Sequence, residues 1–128
     1  MTCKGGARWL SLLSLLFFSV QPAAALDETA QREIDYLLTH LETSECRFFR
    51  NGKWYDADRA RRHLEKKLAW LAKRDLVDSA EQFIERAASE SSRSGEPYLV
   101  HCGGRVMLSA AWLTQQLQAF RRESDNDR

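Results

Sequence analysis

The sequence of 128 residues contains only 2 prolines, 3 cysteines and 3 histidines, and it lacks the short motifs that mark many enzymes. Without a Cys-x-x-Cys pair, thiol redox chemistry is not indicated. The Gly-x-Ser-x-Gly elbow is absent, and no ligand pair has zinc-finger spacing. The formal net charge is only +1, which singles out neither nucleic acid nor membrane as a partner. The sequence therefore assigns no catalytic residue, metal or cofactor.

The N-terminus has the pattern of a secretory signal peptide. Lys4 and Arg8 are followed by Trp9–Val20, an apolar stretch too short to span a bilayer easily. Small residues then predict cleavage near Ala25. We therefore expect export, with a signal peptide at 1–25, a single small α+β domain at 26–122 and a disordered tail at 123–128.

Two cysteines remain once the predicted signal peptide is removed, Cys46 and Cys102. An even number of cysteines in an exported chain favours a disulfide. Closing such a long loop stabilises a fold by about 4 kcal/mol in the chain-entropy estimate. The alternative is a metal site that adds His63 or His101, and the missing finger spacing makes it the weaker interpretation.

Apolar residues at helical spacing predict four helices. The first covers about 27–43, and the second runs from Asp56 or Asp58 to about 73. The third opens at Asp78, and the fourth covers about 110–121 with Ser109 as its N-cap. Helix spacing and capping thus account for most of the expected domain.

Asn51-Gly52 predicts a tight type I′ hairpin, because both turn positions need positive φ. This turn pairs Phe49 with Trp54 on one face of the ribbon and Phe48 with Tyr55 on the other. One face must cover the core, and the other either is covered by a helix or forms an exposed aromatic patch. A further strand, Tyr98–Cys102, is expected beside the Cys46 strand. We expect an α+β fold of about four helices packed on a small antiparallel sheet made of the hairpin and one strand.

A serine-rich loop at 91–94 precedes the last predicted strand and is the candidate binding site. The residues expected to present hydroxyl and cationic groups there are Ser91, Ser92, Arg93, Ser94, Tyr98, His63 and Lys67. The same side chains also fit a structural role as turn and boundary residues. An enzymatic alternative is a hydrolase that uses this loop with His63 or His101, although the rest of a serine triad is not evident.

Basic residues on the second predicted helix form a stripe opposite its apolar face. They are Arg59, Arg62, Lys66 and Lys73, with Trp70 on the flank. Such a stripe fits peripheral contact with an anionic surface, and it equally fits a solvated face with ion pairs four residues apart.

Segments along nearly the whole predicted domain resemble the YfeK-like family of small exported bacterial proteins, a domain of unknown function. The matching segments, in order, are Glu33-Ile34-x-x-Leu37-Leu38, Ser44-x-Cys46-x-Phe48-x-Arg50-Asn51-Gly52, His63-Leu64-x-x-Lys67, Ala80-Glu81-x-Phe83-Ile84, Ser91-Ser92-x-Ser94-Gly95-x-Pro97-Tyr98-x-Val100-x-Cys102 and Trp112-Leu113. The resemblance implies a periplasmic location and a cysteine pair, and it implies no activity. We expect a non-enzymatic binding or interaction module of the cell envelope, with a small polar ligand or an envelope protein as its partner.

Overall fold

The computed structural model describes residues 26–128 together with residues 2, 5–6 and 17–19. The predicted cleavage site and most of the predicted signal peptide lie outside the described residues. The elements are α1 (Glu28–Thr43), β1 (Arg47–Arg50), β2 (Lys53–Tyr55), α2 (Ala57–Ala72), α3 (Ala80–Ala87), β3 (Leu99–Cys102), β4 (Arg105–Leu108) and α4 (Ser109–Asn126). No helix within the described residues is long and apolar enough to cross a bilayer.

Side-chain caps set the starts of the first three helices. The Asp27 carboxylate accepts from the Ala30 amide at 2.7 Å, and Asp56 accepts from the Arg59 amide at 2.9 Å. Helix α3 starts two residues after Asp78, because Ser79 is its N-cap and accepts from the Gln82 amide at 3.1 Å. Asp56 rather than Asp58 therefore caps α2, and Ser79 rather than Asp78 caps α3.

Helix α4 differs from the expectation at both ends. Leu108 occupies the N-cap position, and Ser109 is already helical, buried and without a side-chain cap bond. The helix continues to Asn126, so it includes residues for which a disordered tail was expected. The Ser124 hydroxyl donates to the Phe120 carbonyl at 3.0 Å within this extension. The polar composition alone did not reveal that the helix continues.

The sheet is fully antiparallel with strand order β2-β1-β3-β4. The predicted hairpin register is confirmed: Phe49 pairs with Trp54 and, on its other side, with Leu99. Strand β4 was not predicted; Gly103 and Gly104, both at positive φ, form the turn that folds it back onto β3. The sheet therefore has four strands rather than three.

A disulfide joins Cys46 to Cys102, as predicted, with their Cα atoms 4.9 Å apart. The bond lies where β1 begins and β3 ends, so it ties the N-terminal half of the domain to its C-terminal half. The helices bury the face of the sheet that carries Phe48 and Val100. The largest fully buried side chains of this core are Phe83, Ile34, Leu37, Leu41, Leu113 and Val100.

A charged brace joins three helices at the edge of this core. Arg121 of α4 donates to both carboxylate oxygens of Glu33 in α1, at 2.8 and 2.9 Å. It also pairs with Glu81 of α3 at 2.6 Å. Glu33 is only 8% exposed, and burying its negative charge alone would destabilise the fold. The two hydrogen bonds from Arg121 offset this cost.

Candidate functional site

A pocket of about 460 Å³ opens between α2, the β1–β2 turn and residues 89–97, which we call the serine loop. Two backbone hydrogen bonds join the ends of the loop. The Ser91 amide donates to the Glu96 carbonyl and the Tyr98 amide donates to the Ser89 carbonyl, both at 2.9 Å. Basic and hydroxyl-bearing side chains dominate the lining. The lining residues are Arg50, Asn51, His63, Lys66, Lys67, Trp70, Leu71, Arg86, Ser91, Ser92, Arg93 and Tyr98.

Arg50 and His63 lie side by side at the inner end of the pocket. Arg50 Nη1 is 2.8 Å from His63 Nδ1, and its guanidinium stacks over the Tyr55 ring at 4.9 Å from the centroid. Nη1 is also 3.4 Å from His63 Nε2, so the guanidinium lies against the imidazole ring and reaches both of its nitrogens.

Tyr98, the residue before β3, contacts two side chains of α2. His63 Nε2 is 3.0 Å from the Tyr98 hydroxyl, and Lys67 Nζ donates to the same hydroxyl at 3.2 Å. Lys67 also donates to the Glu90 carbonyl at 2.9 Å, which fixes the serine loop to the helix. His63 and Lys67, one helical turn apart, therefore hold the loop and line the pocket at once.

Burial and crowded positive charge shift the titration of this cluster. Burial first, then the charges of Arg50, Lys67 and Lys66, lower the pKa of His63 to about 4. Burial also lowers the pKa of Lys67, an effect that Glu90 opposes and Arg50 strengthens. Burial raises the pKa of Tyr98. At neutral pH the cluster is thus a neutral imidazole and a protonated phenol beside fixed cations.

The serine hydroxyls have separate roles. Ser91 is buried, and its oxygen accepts from Asn51 Nδ2 at 3.0 Å and from the Arg93 amide at 3.2 Å. Ser94 donates to Asn51 Oδ1 at 2.6 Å and lies outside the pocket lining. Ser92 is exposed on the pocket wall. Ser91 and Ser94 therefore shape the loop, and Ser92 faces the space beside it.

Most of the predicted binding residues meet in this one pocket, namely Ser91, Ser92, Arg93, Tyr98, His63 and Lys67. The pocket is also lined by Arg50, Asn51, Trp70 and Arg86, which the sequence pattern did not assign to it. Arg50 and Asn51 belong to the hairpin that the sequence predicts. The sequence does not show, however, that the turn of this hairpin lies against the serine loop. Trp70 stacks with Arg74 at 3.9 Å and is 53% exposed at the far end.

The two catalytic alternatives do not assemble a serine with a histidine. Within the described residues no serine hydroxyl bonds to His63, whose two nitrogens face Arg50 and Tyr98. His101 lies on the opposite face of the sheet, where it contacts Trp54 edge-on at 6.0 Å. No group of three or more possible metal-ligating side chains occurs among the residues that the structure describes.

The basic stripe of α2 divides into different environments. Arg62 pairs with Asp58 four residues before it, and Arg59 stacks over the Tyr55 ring at 5.3 Å. Lys66 lines the pocket, whereas Lys73 is the exposed C-cap of the helix. Of the four side chains, Lys66 is the one that lines the pocket.

The outer face of the sheet carries an apolar row across all four strands. Trp54, Phe49, Leu99 and Leu108 are direct cross-strand neighbours in that order. Leu108 is 51% exposed, and nearby Val106 is 55% exposed. The hairpin face therefore forms an exposed aromatic and aliphatic patch.

Fold and pocket together define a small α+β protein with a Cys46–Cys102 disulfide and a cationic cleft beside a serine loop. The chain belongs to the family of unknown function DUF5329, whose model matches residues 28–121. It is similar to the uncharacterized protein YfeK of Salmonella typhimurium, with 33% identity over 84 residues, which are 65% of this chain and 68% of that protein. The resemblance to YfeK-like proteins is thus confirmed. No solved structure matches the chain.

Proposed function

We propose that the protein is an exported, periplasmic binding module whose pocket takes up a small anionic ligand. The observation that carries this proposal is the lining of the pocket: it includes five permanently or normally cationic side chains and no carboxylate. The cations are Arg50, Lys66, Lys67, Arg86 and Arg93.

The electrostatics of the pocket favour an anion. Arg50 and Lys67 are partly buried, so water compensates their mutual repulsion less than it would at an open surface. Burial first, and then the neighbouring positive charges, lower the pKa values of His63 and Lys67. A bound anion relieves the repulsion, and its hydrogen bonds to cations are of the strong, charge-assisted kind.

A non-enzymatic role is supported by how the polar groups are used. Catalysis by a serine needs a histidine within hydrogen-bond reach of the hydroxyl. Here His63 forms a hydrogen bond with Tyr98 instead, and Ser91 accepts hydrogen bonds that stabilise the loop. The groups around the pocket hold and orient, which is what a binding site requires.

Calorimetry with an anion panel tests the binding proposal. We expect saturable binding of at least one of sulfate, phosphate and citrate at constant ionic strength. Lys67→Met should weaken it about tenfold or more, because hydrogen bonds to charged groups contribute about 1.5–3 kcal/mol. Lys73→Met, on the same helix but outside the pocket, is the matched control and should bind as the wild type does. Equal losses in both variants, or no binding of any anion, would contradict the proposal.

Export is proposed from the N-terminal pattern, and the disulfide is compatible with an oxidising compartment. Fractionation of cells that express the full chain tests it. We expect the protein in the periplasmic fraction with a mass that begins near residue 26. Recovery of the uncleaved chain in the cytoplasm, with alkylatable thiols at Cys46 and Cys102, would overturn this part of the proposal.

A further inference from the structure

We propose that the pocket binds the phosphodiester headgroup of an anionic phospholipid and that Trp70, at its far end, lies at the surface of the bilayer that holds this lipid. This inference rests on the proposed function and names the source of the anion. The exposed mouth of the pocket, the positive charge around it and the exposed apolar side chains beside it support this assignment.

The mouth of the pocket consists of lining residues that are exposed to solvent. They include Lys66, Trp70, Arg86 and Arg93, whereas Tyr98 in the same lining is only 7% exposed. The volume of about 460 Å³ lies within the usual range of small-molecule sites, about 300–1,000 Å³. A charged headgroup can therefore enter through the mouth while the acyl chains of its lipid stay outside.

Positive charge extends beyond the pocket along the end of α2. Residues 66–76 include four basic side chains and one acidic side chain, Asp75. The exposed cations of this segment and of the mouth are Lys66, Lys73, Arg74, Arg86 and Arg93. Clustered lysine and arginine side chains are attracted to anionic lipid surfaces, and salt weakens this attraction. The charge of this surface therefore complements an anionic bilayer.

Two large apolar side chains are exposed beside these cations. Trp70 is 53% exposed near the end of α2, and Leu76 is 39% exposed in the turn that follows the helix. Hydrogen bonds hold this turn in place: the Leu76 amide donates to the Leu71 carbonyl at 3.0 Å, and Arg86 Nη1 donates to the Leu76 carbonyl at 2.5 Å. A tryptophan with basic neighbours is typical of side chains that lie at the level of lipid headgroups.

Trp70 and Arg86 connect the pocket to this exposed apolar surface. The Trp70 indole lines the pocket, and the Arg74 guanidinium stacks over its ring at 3.9 Å from the centroid. Arg86 lines the pocket as well and bonds to the Leu76 carbonyl. A soluble anion would contact the lining alone and leave Arg74 and Leu76 without a role. A headgroup held in a bilayer engages the lining and the surface around it together, which makes the lipid the better fit.

Vesicle cosedimentation tests the source of the anion. The protein purified after expression of the full chain is mixed with vesicles of phosphatidylcholine alone or of phosphatidylcholine with phosphatidylglycerol. We expect binding to the mixed vesicles only, weakened by added salt and by dimethyl phosphate, a soluble phosphodiester that competes for the pocket. Equal binding to both kinds of vesicle would contradict the inference. Calorimetric binding of sulfate or dimethyl phosphate without any vesicle binding would overturn it and leave the proposed function standing; no binding of any anion or vesicle would overturn both.

Trp70→Ala and Lys67→Met separate the contribution of the exposed indole from that of the pocket. We expect each variant to bind the mixed vesicles about tenfold more weakly, since each loses either a large apolar contact or a charged hydrogen bond. Only Lys67→Met should also weaken sulfate binding. Trp54→Ala is the matched control, because Trp54 is 39% exposed on the other face of the sheet, and it should bind vesicles as the wild type does. The same loss in Trp54→Ala, or full vesicle binding by Trp70→Ala or Lys67→Met that circular dichroism shows to be folded, would contradict the inference.

Discussion

Asn51 in the hairpin turn donates from Nδ2 to the Ser91 oxygen at 3.0 Å, and its Oδ1 accepts from the Ser94 hydroxyl at 2.6 Å. The amide side chain of Asn51 thereby joins two parts of the chain that are far apart in sequence. Asn51 also has positive φ, which the tight turn requires. One residue therefore forms the turn and anchors the serine loop that walls the pocket.

Asn51→Gly separates these two roles, because glycine accepts positive φ and lacks the amide. We expect the free energy of unfolding to fall by about 1–2 kcal/mol, the range for two partly exposed hydrogen bonds. Urea denaturation measures it. Gly52→Ala is a useful comparison, since it strains the turn at φ +81° and leaves the amide bonds intact. An Asn51→Gly protein as stable as the wild type would show that the tie does not hold the loop.

His63 gives a pH signature. The folded protein takes up its proton only near pH 4, whereas the unfolded chain does so near pH 6.5. Stability is therefore unaffected by this group above about pH 6.5 and falls as the pH drops from about 6.5 to about 4. An NMR titration of the His63 ring should give the low pKa, and His63→Gln should flatten the stability profile across that interval. A ring that titrates near 6.5 would contradict the buried, Arg50-bonded arrangement.

The Arg121 brace predicts an asymmetric mutational effect. Arg121→Met leaves the buried Glu33 carboxylate without its two-pronged partner, and we expect a loss of about 1–3 kcal/mol after allowing for the partial exposure of Arg121. Arg122→Met changes an exposed neighbour and should shift stability by under about 0.5 kcal/mol. Chemical denaturation compares the two. Similar small effects would mean that Glu33 is adequately solvated without Arg121.

Ser109 offers a stabilising substitution. Its hydroxyl is buried without a hydrogen-bond partner and borders a small cavity of about 40 Å³. Ser109→Ala removes an unsatisfied polar group at little cost in packing, so we expect a neutral to about 1 kcal/mol more stable protein. Differential scanning calorimetry checks this. A clear loss of stability would indicate that the hydroxyl is paired in solution.

Local chemistry made much of the fold predictable. Asn51-Gly52 specifies one turn geometry, and the turn then sets the pairing of Phe49 with Trp54 without further information. Strand β4 escaped prediction because Arg105–Leu108 is short and joins a helix directly, so it shows too little alternation before Ser109. The extra turns of α4 escaped because polar residues carry no apolar periodicity.

The candidate site was predictable in part for a similar reason. A cluster of serines between a helix and a strand indicates a loop, and His63 and Lys67 share one helix face by spacing alone. The contribution of Arg50 depends on β1 lying beside β3 and under α2, a relationship set by tertiary packing. The contacts of Tyr98 with His63 and Lys67 depend on that packing as well.

The central claim is that the pocket beside the serine loop binds an oxyanion. A titration of the isotopically labelled protein with sodium sulfate, followed by amide NMR at constant ionic strength, tests it most directly. The account predicts saturable shifts concentrated on Arg50, Asn51 and the 91–98 segment, which disappear in Lys67→Met. Shifts spread along the Arg59, Arg62 and Lys73 surface, or no saturable shifts, would contradict it.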